Sequence, residues 1–426
     1  MNGFELVAPF ETKTEPTFET LSWPVPGKAT QIRTGLDWPL TVYGTVSKEA
    51  RDLLHIAAAA YVADLRSPRP LGFSRTMNIV VHVHRPTLWR GPAGQALADL
   101  LAWVSGDEWT IRPVATVASR AGKPTDEPLP DSQPRAEVML LSGGLDSFCG
   151  AVDQLSTNSS RLHIGHRDSA KSVRHAQSLI ANWLSESAPG FAWQRHELGV
   201  NGRKRENSTR TRSFLFMAMA IAAADGSGAK TVVVPENGFT SMNVPLIPSR
   251  GGSLSTKSTH PWTFQLMKRL LKHTSIDVAV TNPYITLTKG ELLSQAAESA
   301  PAGFIEASGN TLSCAKLDGG RFRKADGGNP NINCGLCYAC LVRRGAYQRA
   351  GVTDPTDYLA NRLKGPALNA LRKRRHDDLW ALDLAEARGL TEDDLISSAA
   401  WPADADLGAT LDLVERGRTE LFSVSR

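Results

Sequence analysis

At 426 residues the chain is too long for one small domain and points to two or three units around a sizeable core. Its 41% hydrophobic and 21% charged residues match ordinary globular proteins and exclude a disordered or membrane-embedded chain. A balance of 48 basic against 43 acidic residues gives a net charge of +5, compatible with polyphosphate or nucleic acid and diagnostic of neither.

The opening MNGFELVAPFETKTEP has no basic segment leading into an apolar run, so a cytoplasmic protein with no membrane partner is expected. KEARDLLHIAAAAYVADL follows as an amphipathic helix and MNIVVHVHRP as an alternating strand, which makes residues 1–118 an α+β extension. His82 and His84 share one face of that strand and are expected to face solvent from a sheet edge rather than hold a metal. In the stretch ASRAGKPTDEPLPDSQPRAE, Pro124, Pro128, Pro130 and Pro134 break any periodicity, so residues 119–135 read as a linker.

A new pattern begins at residue 136 and runs to 353. Strand EVMLLSGG leads into a helix from about Ser147, followed by strand RLHIGH, helices KSVRHAQSLIANWL and TRSFLFMAMAIAAA, and strand KTVVVPE. Strands alternating with helices imply an α/β fold with a doubly wound parallel sheet, its ligand site beyond the strand carboxyl ends. Phe214–Ala224 is the longest apolar stretch; it is too short to cross a bilayer and reads as a buried helix. Residues 354–426 read as a helical appendage. Its RKRRH run has no aromatic stripe beside it, so a solvated helix face is expected and direct nucleic-acid binding is not.

The first core strand ends in LLSGGLDSFCG, Leu140 to Gly150. Gly143 and Gly144 allow unusual backbone angles and let an anion reach the main-chain amides. The helix start adds unpaired N–H groups, Ser142 and Ser147 add hydroxyls, and Asp146 is placed to hold Mg²⁺ among phosphate oxygens. A bare Gly-Gly would be only a tight turn with Ser147 as a helix cap. No Walker motif is present, and in GSGAKTVVV the glycines precede the strand, where a dinucleotide fingerprint needs them after it.

The whole hexapeptide SGGLDS resembles the SGGxDS loop of the PP-loop ATP pyrophosphatases, which have the adenine nucleotide alpha hydrolase-like fold. The resemblance implies cleavage of ATP between its α and β phosphates, leaving an adenylate on the substrate. Ser142, Gly143, Gly144, Leu145, Asp146 and Ser147 would bind the nucleotide, with Asp146 and Ser147 also catalytic.

Of five cysteines, four lie close together as Cys314, Cys334, Cys337 and Cys340, in the spacing C-x19-C-x2-C-x2-C. Four thiolates complete a tetrahedral shell and suit a structural Zn²⁺. An iron–sulfur cluster is the weighed alternative, but Arg344 occupies the position where a ferredoxin run has its fourth cysteine. The loop and the cysteine element, with Arg343 three residues after the last thiol, together resemble the 7-cyano-7-deazaguanine synthases over about residues 136–350. That family activates the carboxylate of 7-carboxy-7-deazaguanine with ATP, forms an amide from ammonia, and dehydrates it to a nitrile beside a structural zinc. Arg210 and Arg212, before the buried helix, then read as anion-binding. Lys289, in a Thr-Lys-x-Glu element with Glu291, either neutralises the departing pyrophosphate or sits in a solvated turn.

The segment Pro235 to Pro261 follows a strand end and is expected to line the pocket. Glu236 and Asn237 suit a purine-like edge or the positioning of an amine. His260, before a proline, reads as a turn histidine rather than a base, and the Ser/Thr/Lys stretch as a phosphate contact or lid. The entire arrangement resembles the synthase-like component of the Qat anti-phage defence systems. This implies a deazapurine substrate and a protein partner from the same operon, whose amine replaces ammonia as acceptor. Three alternatives stand beside it: the synthase activity itself, a PP-loop tRNA-modifying enzyme, and a non-catalytic zinc scaffold that binds nucleotide. A thiolase would need a sulfur-carrying cysteine, and the spare Cys149 reads as a small core residue.

Overall fold

A computed structural model describes residues 2–25, 30–71, 74–118, 126, 135–153, 155, 160–167, 170–206, 209–246, 257–317, 322 and 332–425. Apart from Asp126 and Arg135, the expected linker 119–135 lies outside the described residues.

The N-terminal unit contains strands β1 (Asn2–Val7), β2 (Glu19–Ser22), β3 (Ile32–Thr34), β4 (Thr76–Val83) and β5 (Glu108–Ala115). Four of them form a wholly parallel sheet in the order β2-β1-β4-β5, with Phe4 opposite Ile79 and Leu6 opposite Val81. Parallel sheets need crossovers, and the helix Pro92–Ser105 supplies the one between β4 and β5. The helix Lys48–Arg66 starts where the Ser47 side chain accepts the Ala50 N–H at 3.2 Å. Its alanine run favours helix and lets neighbours approach closely, and nearly every residue in it is buried.

His82 and His84 do not face solvent from a sheet edge. β4 is an inner strand, and His82 is 2% exposed, clamped between Glu5 (Nε2 to Oε1, 3.1 Å) and Glu11 (Nδ1 to Oε2, 2.6 Å). His84 Nδ1 meets Asp52 at 2.9 Å. A parallel sheet is covered on both faces, so polar residues on it are buried when they find ionic partners.

The second sheet holds β6 (Val138–Leu140), β7 (Leu162–His166), β8 (Ala192–His196), β10 (Thr231–Val233) and β11 (Ala279–Thr281), in the order β11-β10-β6-β7-β8 and parallel throughout. The chain builds outward from β6 through β7 to β8, then returns to the other side of β6 as β10 and β11. That reversal opens a crevice at the carboxyl ends of β6 and β10. β8 and β11 are absent from the sequence-based expectation.

The two sheets share one apolar core, running from Phe4 to Val278. The helix Arg212–Ser227 is apolar on all sides and lies between them, packed on Lys48–Arg66 and on β6, β7 and β10. At its start, buried Asp64 accepts the N–H groups of Arg210 (2.9 Å) and Thr211 (3.2 Å). A short antiparallel pair, β3 with β9 (Leu198–Val200), joins the units again. Helices Gly365–Arg374, His376–Arg388, Glu392–Ser398 and Leu407–Phe422 form the C-terminal end, and the last packs against the helix Tyr338–Arg349. Among the described residues no helix is long and apolar enough to cross a membrane.

Burial pushes the Glu5 carboxyl up, but the Thr14 and Glu15 N–H groups (both 2.8 Å) and His82 outweigh it and hold Glu5 below the usual glutamate range. Its contribution is therefore complete above that range and is lost as pH falls through the lowered folded value. Glu5→Gln should cost about 1–3 kcal/mol at neutral pH, and its thermal midpoint should fall less steeply than wild type on acidification; parallel curves would refute the assignment.

Candidate active site and metal centre

The chain leaves β6 and turns at Gly143, whose φ is +97°. A Cβ there would lie 2.9 Å from Gln177 Cγ, so both conformation and space demand glycine. The Gln177 amide donates to Ser142 O and His166 O, each at 3.0 Å, and so ties the ends of β6 and β7 together. The helix Leu145–Asp153 begins two residues before the expected Ser147. The Ser147 hydroxyl folds back into the turn instead, accepting the Ser142 N–H at 3.2 Å and donating to Gly144 O at 3.1 Å. First-turn amides of this helix lack carbonyl partners within it, which makes the turn an anion cradle.

The cradle forms one wall of a cavity of about 330 Å³. Ser142, Gly144, Leu145, Asp146 and Ser147 line it from the turn, Glu236 and Thr240 from beyond β10, and Lys289 from beyond β11. Tyr338 and Val342 complete it from the cysteine element. On the other side of Ser142 lies an apolar recess formed by Leu141, Ile164, Phe216 and Met219, with His166 and Arg212.

Asp146 is 5% exposed and Lys289 is 7% exposed. The Lys289 ammonium pairs with Asp146 Oδ1, while Asn237 Nδ2 donates to Oδ2 at 2.8 Å. Burial raises the Asp146 carboxyl, but the Lys289 charge and the bonds from Glu236, Lys289 and Asn237 prevail and hold it below its ordinary value. For Glu236 the balance is opposite: burial and the adjacent Asp146 charge push it well above the glutamate range. Glu236 therefore keeps its proton to a higher pH than a free glutamate does. Asn237 does not line the cavity; it stands behind Asp146 and caps the helix Gly238–Met242, its Oδ1 accepting Thr240 N at 3.0 Å.

Lys289 is the first residue of the helix Lys289–Ser299. Thr288 and Glu291 form a capping box there, with Glu291 Oε2 accepting Thr288 N at 2.9 Å. Glu420, from the last helix, accepts the Thr288 hydroxyl and the Gly290 N–H (Oε2, 3.1 Å). Gly417 of the same helix lies against Phe239, where a Cβ would come within 2.2 Å of the ring. The C-terminal helix thus buttresses two loops of the site.

The two arginines separate. Arg212 lines the apolar recess, its guanidinium 5.1 Å from the Phe216 ring centre. Arg210 is turned to the N-terminal unit, with Nη1 on Ser105 O at 3.3 Å, and is not among the residues lining the cavity. His260 caps the helix Pro261–Lys272, its Nδ1 accepting Trp262 N at 3.1 Å, and packs between Trp103 and Trp401. Burial and Lys257 press it down to about 4. Ser258 and Thr259 line the cavity; residues 247–256 of the expected lid lie outside the described ones. Cys149 is 1% exposed and burial pushes its thiol far up, which leaves an inert core residue.

Cys314, Cys334, Cys337 and Cys340 bring their sulfurs within 4.8 Å of one another, with Cys314–Cys337 and Cys334–Cys340 each 3.9 Å apart. A zinc–sulfur bond of about 2.3 Å gives a tetrahedron edge of roughly 3.8 Å, so the four thiols fit a structural zinc. Main-chain N–H groups point at the sulfurs, Cys337 N to Cys334 Sγ at 3.3 Å and Cys334 N to Cys314 Sγ at 3.4 Å. Beneath them Arg343 is wholly buried, donating to Ser308 O (2.7 Å) and Thr356 Oγ1 (2.8 Å).

No protein-family model matches the chain. Over 95 residues it is 35% identical to 7-cyano-7-deazaguanine synthase 1 of Mesorhizobium japonicum, covering 22% of this chain and 34% of that protein. It is 33% identical over 95 residues to the 7-cyano-7-deazaguanine synthase of Allorhizobium ampelinum, covering 22% and 33%, and 35% identical over 82 residues to that of Agrobacterium fabrum, covering 19% and 28%. The chain thus spans about a third of the length of the curated relatives it matches, a weak homology to 7-cyano-7-deazaguanine synthases.

Metal analysis of the purified chain should find one zinc. Cys337→Ser should abolish its tight binding and lower the thermal midpoint by at least about 2 °C, a loss of roughly 2 kcal/mol for a chain of 426 residues; a variant that keeps the metal would remove Cys337 from the shell.

Proposed function

We propose that the chain uses ATP to activate the carboxylate of a 7-deazaguanine acid and transfers the acyl group to an amine. The observation that carries this reading is the meeting of the Ser-Gly-Gly cradle with the Asp146–Lys289 pair and Glu236 around one cavity. Homology to 7-cyano-7-deazaguanine synthases supplies the substrate class.

In the first step a carboxylate oxygen attacks the α-phosphorus. The bond from that phosphorus to the α–β bridging oxygen breaks, and pyrophosphate leaves with the electron pair. Ser142 to Ser147 hold the outer phosphates, and Lys289 follows the charge onto pyrophosphate. Mg²⁺ would be held by Asp146 and phosphate oxygens, where it would neutralise charge on the leaving group. Asn237 keeps the Asp146 carboxylate oriented. In the second step the amine nitrogen attacks the acyl carbon, the bond to the AMP oxygen breaks, and the ammonium proton passes to a base or to solvent. Protonated Glu236 gives its one proton to Asp146, so toward the purine-like edge it can offer a carboxyl oxygen as acceptor.

The resemblance of the whole arrangement to the synthase-like component of Qat anti-phage systems favours an acceptor amine on a partner protein. The relatives' names favour a second reading, in which ammonia is the acceptor and a nitrile the product.

ATP with 7-carboxy-7-deazaguanine should yield AMP and pyrophosphate, and Asp146→Ala or Lys289→Met should slow release by roughly 10²–10³-fold. Formation of ADP and phosphate, or release indifferent to both substitutions, would defeat the reading. Mass spectrometry of the products, with and without operon partners, separates conjugate from nitrile.

A further inference from the structure

Of the basic run Arg372–Arg375, three residues are exposed as the sequence suggested, but Arg375 is only 2% exposed. It sits at the junction between helices Gly365–Arg374 and His376–Arg388 and turns inward. Its Nε donates to Cys334 Sγ at 3.4 Å and its Nη2 to Lys316 O at 3.0 Å, two residues from Cys314. Lys316 in turn pairs with Asp378 of the second helix at 2.9 Å. The helical tail therefore holds the metal element through a buried cation on one cysteine and a second ion pair on the loop of another.

A zinc ion with four thiolates carries a net charge of about −2, and a buried charge of that size is costly unless paired. Coupling of this kind is reciprocal, so whatever the Arg375 contact with Cys334 adds to zinc binding, bound zinc adds to the seating of Arg375. We propose that Arg375 is the charge-balancing partner of the metal centre, and that the C-terminal helices seat through it on the loaded tetrathiolate, so that zinc occupancy and tail docking are coupled. The proposal rests on the zinc reading of the four cysteines and is independent of the activation chemistry.

The experiment follows hydrogen exchange and zinc release in the full chain. Stripping zinc should speed amide exchange in Gly365–Arg374 and His376–Arg388 by about tenfold or more. Arg375→Met should reproduce that loosening in the loaded protein and release zinc to a chromogenic chelator about tenfold faster, within the range typical for partners behind metal ligands. Arg375→Lys should fall between it and wild type, and Arg372→Met, on the exposed face, should match wild type. If Arg375→Met does not fold, cobalt-substituted Arg375→Lys decides: loss of the N–H···S bond should move the thiolate-to-cobalt band to lower energy. A folded Arg375→Met variant with wild-type release and exchange, or an unmoved cobalt band, overturns the coupling. A wild-type chain that binds no zinc overturns it too, by removing the metal reading, while pyrophosphate release still tests the activation chemistry separately.

Discussion

Main chain at Gly143 passes through a conformation that a side chain would strain, and the geometry of the site depends on it. The turn aims the start of a helix into a crevice that exists because the strand order reverses at β6. Three carboxyl ends then converge without any long excursion of the chain. β6 delivers Asp146 and Ser147, β10 delivers Glu236 and Asn237, and the loop after β11 delivers Lys289. Gln177 fixes the opening between β6 and β7 from outside.

Burying charge at that convergence is costly, and the surroundings show how it is offset. Asp146 has a cation on one oxygen and an amide on the other. Burial and the adjacent Asp146 charge push the Glu236 carboxyl well above the glutamate range, which disfavours a second negative charge there. The same logic governs the N-terminal unit, where Asp64 and Asp107 share Arg69 and Arg75; Arg75 reaches Asp107 at 2.6 Å and Arg69 reaches it at 2.9 Å. Because Asp64 also holds the backbone before the central helix, this network fixes one unit against the other. The apolar core continues across the junction, so the N-terminal unit acts as a structural wall of the second sheet.

Local chemistry was legible in the sequence. SGGLDS and the four cysteines carry their meaning in spacing, and the structure brings each set together. The apolar runs of β6, β7 and β10 were equally readable. β8 and β11 escaped because AWQRH and AVT are short and carry no clear alternation; only pairing with neighbours makes them strands. His82 and Arg375 were read as solvent-facing because nothing local marks a buried polar side chain, whose partners lie on other elements. Gln177, Tyr338 and Glu420 offered no signal, since each matters through a contact distant in sequence.

Glu420 caps the helix that begins with Lys289 from 130 positions further along the chain. In vectorial synthesis, the sheet and its glycine turn leave the ribosome well before that carboxylate is polymerised. The nascent polypeptide therefore passes through a stage in which the core has its strands while the lysine corner is still unbraced. The corner would take its shape only once the helix Leu407–Phe422 has emerged and locked it in place.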